Sequence, residues 1–253
     1  MRRAPARVIP CLLLADGGLY KTTEFGQPKY VGDPINAVRV FNDKEADELI
    51  LLDIDASKRN TPFDADAVAD IVSEAFMPVC FGGGVRSIDD FERAFAVGVE
   101  KVSVNTAAVE DPSLVERAAA RYGSQSVVVA IDVARHRRKL EVRTHGGTTK
   151  TKLDPTTWAQ RSEALGAGEI LLTSIDRDGT QVGYDVDLIG DVAHAVTVPL
   201  IACGGAGSRE DLRAGLAAGA AGVAAGSLFV FHGPRRAVLI DYLSETDRVA
   251  LRA

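Results

Sequence analysis

Eight short apolar runs alternate with helical patterns over 253 residues, and the chain repeats itself after 121 residues. Together these predict a closed (β/α)8 barrel made of two similar halves, about residues 1–121 and 122–253. The length suits one such barrel, which typically needs about 250 residues. With 46% hydrophobic and 25% charged residues the composition is that of an ordinary globular chain, so disorder and fibrous repeats are excluded. Shifted by 121 positions, Pro78, Gly83, Gly84, Ser87, Asp90, Ala96, Gly98 and Val102 fall on Pro199, Gly204, Gly205, Ser208, Asp211, Ala217, Gly219 and Val223. The same shift carries Ile54-Asp55 onto Ile175-Asp176 and Glu48 onto Glu169.

Taken in order, Arg7–Leu14, Leu49–Ile54, Pro78–Phe81 and Lys101–Val104 read as the strands of the first half. Ser126–Ile131, Glu169–Thr173, Pro199–Cys203 and Gly222–Ala225 read as those of the second. Polar residues hardly interrupt them, as expected of parallel strands covered on both faces. Asp33-Pro34, Asp111-Pro112 and Asp154-Pro155 mark helix starts, each with an N-capping Asp before a Pro at the first helical position. An open doubly wound sheet would also alternate strands with helices. Two similar halves closing on each other favour the barrel.

A formal net charge of −6 and no long block of like charge argue against nucleic acid and anionic membrane as partners. No run reaches the roughly 18 apolar residues of a membrane span; the nearest, Ala217–Phe231, is rich in Ala and Gly. Met1-Arg2-Arg3 followed by Val8–Ala15 imitates a signal peptide, but Pro10 interrupts it and Asp16-Gly17-Gly18 ends it like a turn. Cys11, Cys80 and Cys203 are an odd set without C-x-x-C spacing, which excludes a paired disulfide framework and does not suggest zinc. They read as small buried hydrophobes in a reducing cytoplasm. No metal or other cofactor is expected.

In a barrel of this kind ligands sit at the C-terminal strand ends. Two glycine loops are mates in the repeat, Gly82-Gly83-Gly84 and Gly204-Gly205-Ala206-Gly207, and the strand after each ends in a small polar pair, Asn105-Thr106 or Gly226-Ser227. Glycine lets backbone N–H groups approach an anion, so the pair predicts two phosphate subsites half a barrel apart. A single glycine loop could equally be a tight turn. Carboxylates also end several strands: Asp53, Asp55, Asp132, Asp176 and Asp178. Some are expected to be structural, through loop hydrogen bonds or pairing with Lys21 or Arg177. Asp132, delivered by Val127–Ile131, is the candidate acid or base. Its counterpart on the first strand, two residues off the main repeat, is Leu13. At the opposite strand ends Arg7, Glu48, Lys101 and Glu169 form an expected ring, either a salt-bridge layer or a polar gate to the barrel axis.

Val127–Asp132, Leu171–Thr180, Val104–Val109 and Gly204–Gly207 closely resemble HisF, the cyclase subunit of imidazole glycerol phosphate synthase. The resemblance runs from about residue 6 to 242. It implies a barrel that binds a bis-phosphorylated intermediate, with a HisH-like glutaminase on the N-terminal face passing ammonia through the lumen. By motif match, Gly84, Asn105 and Thr106 would hold one phosphate, and Asp178, Gly179, Gly205, Gly226 and Ser227 the other. Arg7, Glu48, Lys101 and Glu169 fall on the family's ammonia gate. The family cyclase uses two aspartates; here the second is Asp132 and the first is replaced by Leu13. Ile9–Leu14 with Asp16–Leu19, Pro28–Ala37, Leu52–Ser57 and Gly226–Gly233 resemble HisF paralogues of surface-polysaccharide pathways. For these the resemblance implies ammonia supply to a sugar amidotransferase that makes acetamidino groups. The histidine-pathway cyclase is the competing expectation. The related sugar isomerase, which shares the two half-barrels, fits the gate and Ser174–Thr180 less well.

Overall fold

In the computed structural model, residues 5–59, 61–137 and 139–252 are described, so Met1-Arg2-Arg3 lies outside them. Eight strands form the barrel: β1 (Arg7–Ala15), β2 (Leu49–Asp53), β3 (Val79–Gly82), β4 (Lys101–Val104), β5 (Val127–His136), β6 (Glu169–Ser174), β7 (Leu200–Cys203) and β8 (Gly222–Ala225). All neighbours are parallel, and the pairing of β8 with β1 closes the sheet. Its principal outer helices are α1 (Pro34–Asp43), α2 (Ala65–Val72), α3 (Ile88–Ala96), α4 (Ser113–Tyr122), α5 (Pro155–Ala164), α6 (Val186–Ala195), α7 (Arg209–Ala217) and α8 (Glu245–Arg252).

Successive side chains on a strand point to opposite faces, which sorts the apolar residues into two cores. Val8, Leu12, Leu49, Leu51, Phe81, Val102, Val127 and Val129 belong to the larger core that includes helix residues such as Phe41, Phe91 and Trp158. Ile9, Cys11, Ile50, Cys80, Val128, Ala130, Leu171, Ile201, Cys203 and Ala224 form a second core, with Leu13 and Leu52 against it. This inner set is the filling of the lumen.

The repeat has a structural cause at each helix start. Ser87 accepts a hydrogen bond from the Asp90 N–H at 3.2 Å while Asp90 Oδ2 accepts from the Ser87 N–H at 3.0 Å. Ser208 and Asp211 repeat this capping box at 3.2 and 2.9 Å. Pro78 and Pro199, which have no N–H to donate, serve by their carbonyls, accepting from Leu49 at 2.9 Å and Ile170 at 3.0 Å. Ser208→Ala should lower stability by about 1 kcal/mol. In a chain this long that is a fall of about 2–4 °C in melting temperature, readable by calorimetry.

Asp33 and Asp154 cap α1 and α5 as expected, accepting from the N–H groups of Asn36 and Thr157. Asp111 acts one residue further out: Pro112 is already helical, and Asp111 Oδ1 accepts from the Ser113 N–H. The larger departure is in β5. It runs five residues beyond Ile131 and pairs antiparallel with Lys139–Thr144, which pairs in turn with Thr149-Lys150. A second unforeseen hairpin, Gly18–Lys21 with Lys29–Gly32, grows from the end of β1. Both rise over the C-terminal end of the barrel.

Candidate functional site

The lumen reads as a column from one end to the other. Arg7, Ile9, Cys11 and Leu13 succeed one another on the inner face of β1, as Lys101, Ser103 and Asn105 do along β4 and beyond its end. At the N-terminal end the expected ring is closed. The Arg7 guanidinium donates to both Glu48 and Glu169, and Lys101 Nζ donates to Glu48 Oε1 at 2.8 Å and Glu169 Oε1 at 3.3 Å. The two glutamates are buried, whereas the Arg7 and Lys101 side chains are 26% and 18% exposed. Burial works to lower the Arg7 pKa, but the two carboxylates outweigh it and hold the guanidinium above its usual value. Removing one cation would leave buried carboxylate charge uncompensated. Above the ring comes the apolar filling, interrupted on β4 by the buried Ser103 Oγ, which has no hydrogen-bond partner.

Above that filling a cavity opens at the C-terminal end, lined by Leu13, Leu52, Asp132, Thr173, Asp178 and the Gly82–Arg86 and Ser103–Ala107 segments, among others. Asp132 Oδ2 accepts a hydrogen bond of 2.7 Å from Asn105 Nδ2, which also donates to the Arg143 carbonyl at 3.1 Å. Burial pushes the Asp132 carboxyl up to about 7, with the Asn105 hydrogen bond opposing and the Asp178 charge assisting. Asp178 is raised by the same burial and is held down by Lys21 and Thr22. Asp132 is therefore poised to give or take a proton near neutrality. The position across from it is apolar: Leu13 lies in register with Leu52 on β2.

The structure separates the remaining rim carboxylates by task. Asp53 Oδ1 accepts from the N–H groups of Asp55 and Ala56, both at 2.9 Å. Asp176 accepts from the Arg135 N–H at 2.7 Å. Lys21 and Arg177, expected as carboxylate partners, donate instead to the carbonyls of Cys11 and Gly183. Asp16 turns outward to Arg59 at 2.9 Å, its side chain 71% exposed.

Gly84, Asn105 and Thr106 meet on one side of the cavity. Gly84 has φ +73°, and a Cβ there would lie 2.7 Å from the Phe63 nitrogen, so only glycine fits. Thr106 Oγ1 accepts from the His145 N–H at 2.9 Å, placing the unforeseen second strand's end in the site. The other set splits. Asp178 faces the cavity, while Gly179, Gly205, Gly226 and Ser227 do not line it. The β1 hairpin and its turn close over two of them, where a Cβ on Gly226 would lie 2.3 Å from Lys21 Nζ and one on Gly179 2.0 Å from the Thr22 carbonyl oxygen, whereas Gly205 packs against Gly183 and Arg177. Asn105 and Gly226 nonetheless have nearly the same backbone, with φ, ψ of −115°, −78° and −108°, −67°. Lys21, buried and donating to the Cys11 carbonyl at 2.5 Å, is the site residue whose burial was not foreseen. A lysine between Tyr20 and Thr22 carries no sequence signal of burial.

A lumen closed by a charged ring at one end, with a carboxyl-bearing cavity at the other, defines a (β/α)8 barrel whose site lies at the C-terminal strand ends. Comparison with known proteins gives the family. The histidine biosynthesis protein family matches residues 7–234. A protein of Pseudomonas aeruginosa provisionally named imidazole glycerol phosphate synthase subunit hisF2 is 54% identical over 93% of this chain and 95% of its own. Counterparts provisionally named HisF in Leptospira borgpetersenii and hisF3 in Vibrio vulnificus are 46% and 44% identical, covering 97% and 98% of this chain and 98% and 96% of theirs. The chain belongs to the HisF family within the histidine biosynthesis proteins. No helix among the described residues is long and apolar enough to cross a membrane.

Proposed function

We propose that this HisF-like subunit receives ammonia from a HisH-like glutaminase docked at the Arg7–Glu48–Lys101–Glu169 ring and delivers it to the Asp132 cavity. The end use is acetamidino-sugar formation by a sugar amidotransferase of surface-polysaccharide biosynthesis. The observation that carries the reading is the column itself, a charged ring followed by apolar filling and then a cavity in which Leu13 stands in place of a second proton carrier. An ammonium ion entering Ile9, Ile50, Val128, Leu171 and Ile201 would lose its hydration at great cost, whereas neutral ammonia would not. The apolar filling therefore passes ammonia and stops ions. Gly84, Asn105 and Thr106 hold one phosphate of a phosphorylated ligand, and Asp178, Gly179, Gly205, Gly226 and Ser227 the other once the Lys21 hairpin moves.

The provisional names of the relatives favour a second reading, the cyclase subunit of imidazole glycerol phosphate synthase. Leu13 weighs against it, because leucine cannot transfer a proton. The ring is tested by Lys101→Ala in the complex with the glutaminase. Glutamine hydrolysis should exceed ammonia incorporation, with melting behaviour showing the barrel intact. If the variant couples hydrolysis to incorporation as tightly as the parent, the ring is a structural layer only.

A further inference from the structure

The two halves match up to the end of β8 and then part. After Asn105 the first half forms a helical turn, Thr106–Glu110, and then α4. After Gly226, with its matching backbone, the second half makes one turn, Ser227–Phe229, and enters a β-hairpin that pairs Phe231-His232 with Ala237-Val238. The hairpin turn carries Arg235 and Arg236. Arg236 has φ +49°, which an arginine seldom adopts, and its guanidinium lies 4.5 Å from the centroid of the Phe231 ring. Its Nη2 donates to the Gly179 carbonyl at 3.2 Å. Lys29 Nζ approaches the same Phe231 ring at 5.7 Å, and Lys29 pairs in register with Lys21.

Lys21 thus lies against Gly226 and Arg236 against Gly179, with Lys29 near the same Phe231 ring. Among the described residues none of Lys21, Lys29 and Arg236 has a carboxylate oxygen within 4.0 Å. Lys21 is 5% exposed, and its three donors share one acceptor, the Cys11 carbonyl. Asp178 offsets Lys21 from beyond salt-bridge distance, while among the described residues Lys29 and Arg236 have no carboxylate within that distance, so the group has charge to spare for an anion. Arg236 has the right form for one. The Gly179 carbonyl takes one of its five donors, and stacking on Phe231 fixes the plane of the fork, leaving a face for two phosphate oxygens.

We propose that Arg236, presented by the Phe231–Val238 hairpin, is a specificity-determining residue of the second anion subsite and selects a phosphate dianion there together with Lys21. This rests on the reading of Gly179, Gly205, Gly226 and Ser227 as an anion subsite. The hairpin replaces the helical turn of the first half so that the two subsites differ: the Asn105–Thr106 side binds by backbone and hydroxyl, the Gly226–Ser227 side by a guanidinium fork.

Isothermal titration of the full chain with inorganic phosphate, at low and at physiological salt, tests this. Arg236→Ala should weaken one class of binding about tenfold or more, leave the other unchanged, and flatten the salt dependence. Arg236→Lys should fall between the two, keeping the charge without the fork. Thr106→Val should weaken the class that Arg236→Ala spares. Parent-like phosphate affinity and stoichiometry in both Arg236 variants would overturn the assignment of Arg236 while sparing the subsite. A parent chain that binds phosphate only in the class sensitive to Thr106→Val would overturn the subsite and the proposal together. Melting curves without phosphate establish that each variant is folded.

Discussion

Given ammonia and the histidine-pathway intermediate, the Leu13→Asp variant is expected to cyclise it about 10²-fold or more faster than the unmodified chain. A positioned proton carrier contributes about 10²–10⁴-fold, and a reaction built on two such groups loses most of its rate when one is an alkyl group. Leu13 lies on β1, lines the cavity that Asp132 also lines, and is only partly buried. An aspartate is smaller there and can be solvated from the cavity, so the substitution is tolerated. Beside Asp132, itself raised to about 7, the new carboxyl would share protons as a coupled pair, one group giving while the other accepts. Asp16, the nearest alternative along the chain, is committed to Arg59 and points outward. The unmodified chain should give only a background rate. If it cyclises as fast as Leu13→Asp, the second carboxylate is dispensable and the chain is a histidine-pathway cyclase.

Asp132→Asn is expected to stabilise the protein increasingly as pH rises from 4 to 8. The carboxyl is raised from its ordinary value to about 7 by burial, so the folded state holds a proton that the unfolded chain has released across that window. Stability of the parent therefore falls as pH climbs through it, and the loss is complete above pH 7. At about 1.36 kcal/mol per unit, the full effect is about 4 kcal/mol. Asparagine has no charge to bury, and its side-chain carbonyl can still accept from Asn105 Nδ2. Denaturant unfolding at pH 4.5 and pH 8 measures the difference between variant and parent. It should be small at the lower pH and large at the higher. A difference that does not change with pH would mean that Asp132 is ionised in the folded protein throughout.

The barrel was legible because parallel strands must be apolar on both faces. Leu49–Ile54 and Lys101–Val104 need no tertiary information to be read, and both agree with the structure to within a residue. The repeat was legible because capping boxes and tight βα turns demand particular residues, and Ser87, Asp90, Ser208 and Asp211 supply them. The ring was legible as four charges at strand starts, since the charge of Arg7 or Lys101 beside an apolar run is conspicuous. The hairpins were not. The outer end of the β5 extension, Arg135-His136, is exposed and shows charge in place of alternation, and its edge pairing is a backbone matter that side chains do not announce. The β1 hairpin turns through Glu24 and Phe25 at positive φ, where glycine or asparagine would have given the signal. For the same reason the partial cover over Gly226 by Lys21 was invisible, and the glycine loops read as two equivalent sites when only the first opens to the cavity.

On the proposed function, ammonia travels inside this barrel, from the ring to the Asp132 cavity. The complex with its glutaminase and acceptor enzyme can be supplied with glutamine labelled with nitrogen-15 in the amide, in a medium holding excess unlabelled ammonium, and the isotope ratio of the aminated product determined. Ammonia kept within the lumen predicts a product that carries the glutamine label despite the surrounding pool. A product with the isotope ratio of the medium would show that ammonia reaches the acceptor through solvent, which contradicts the account.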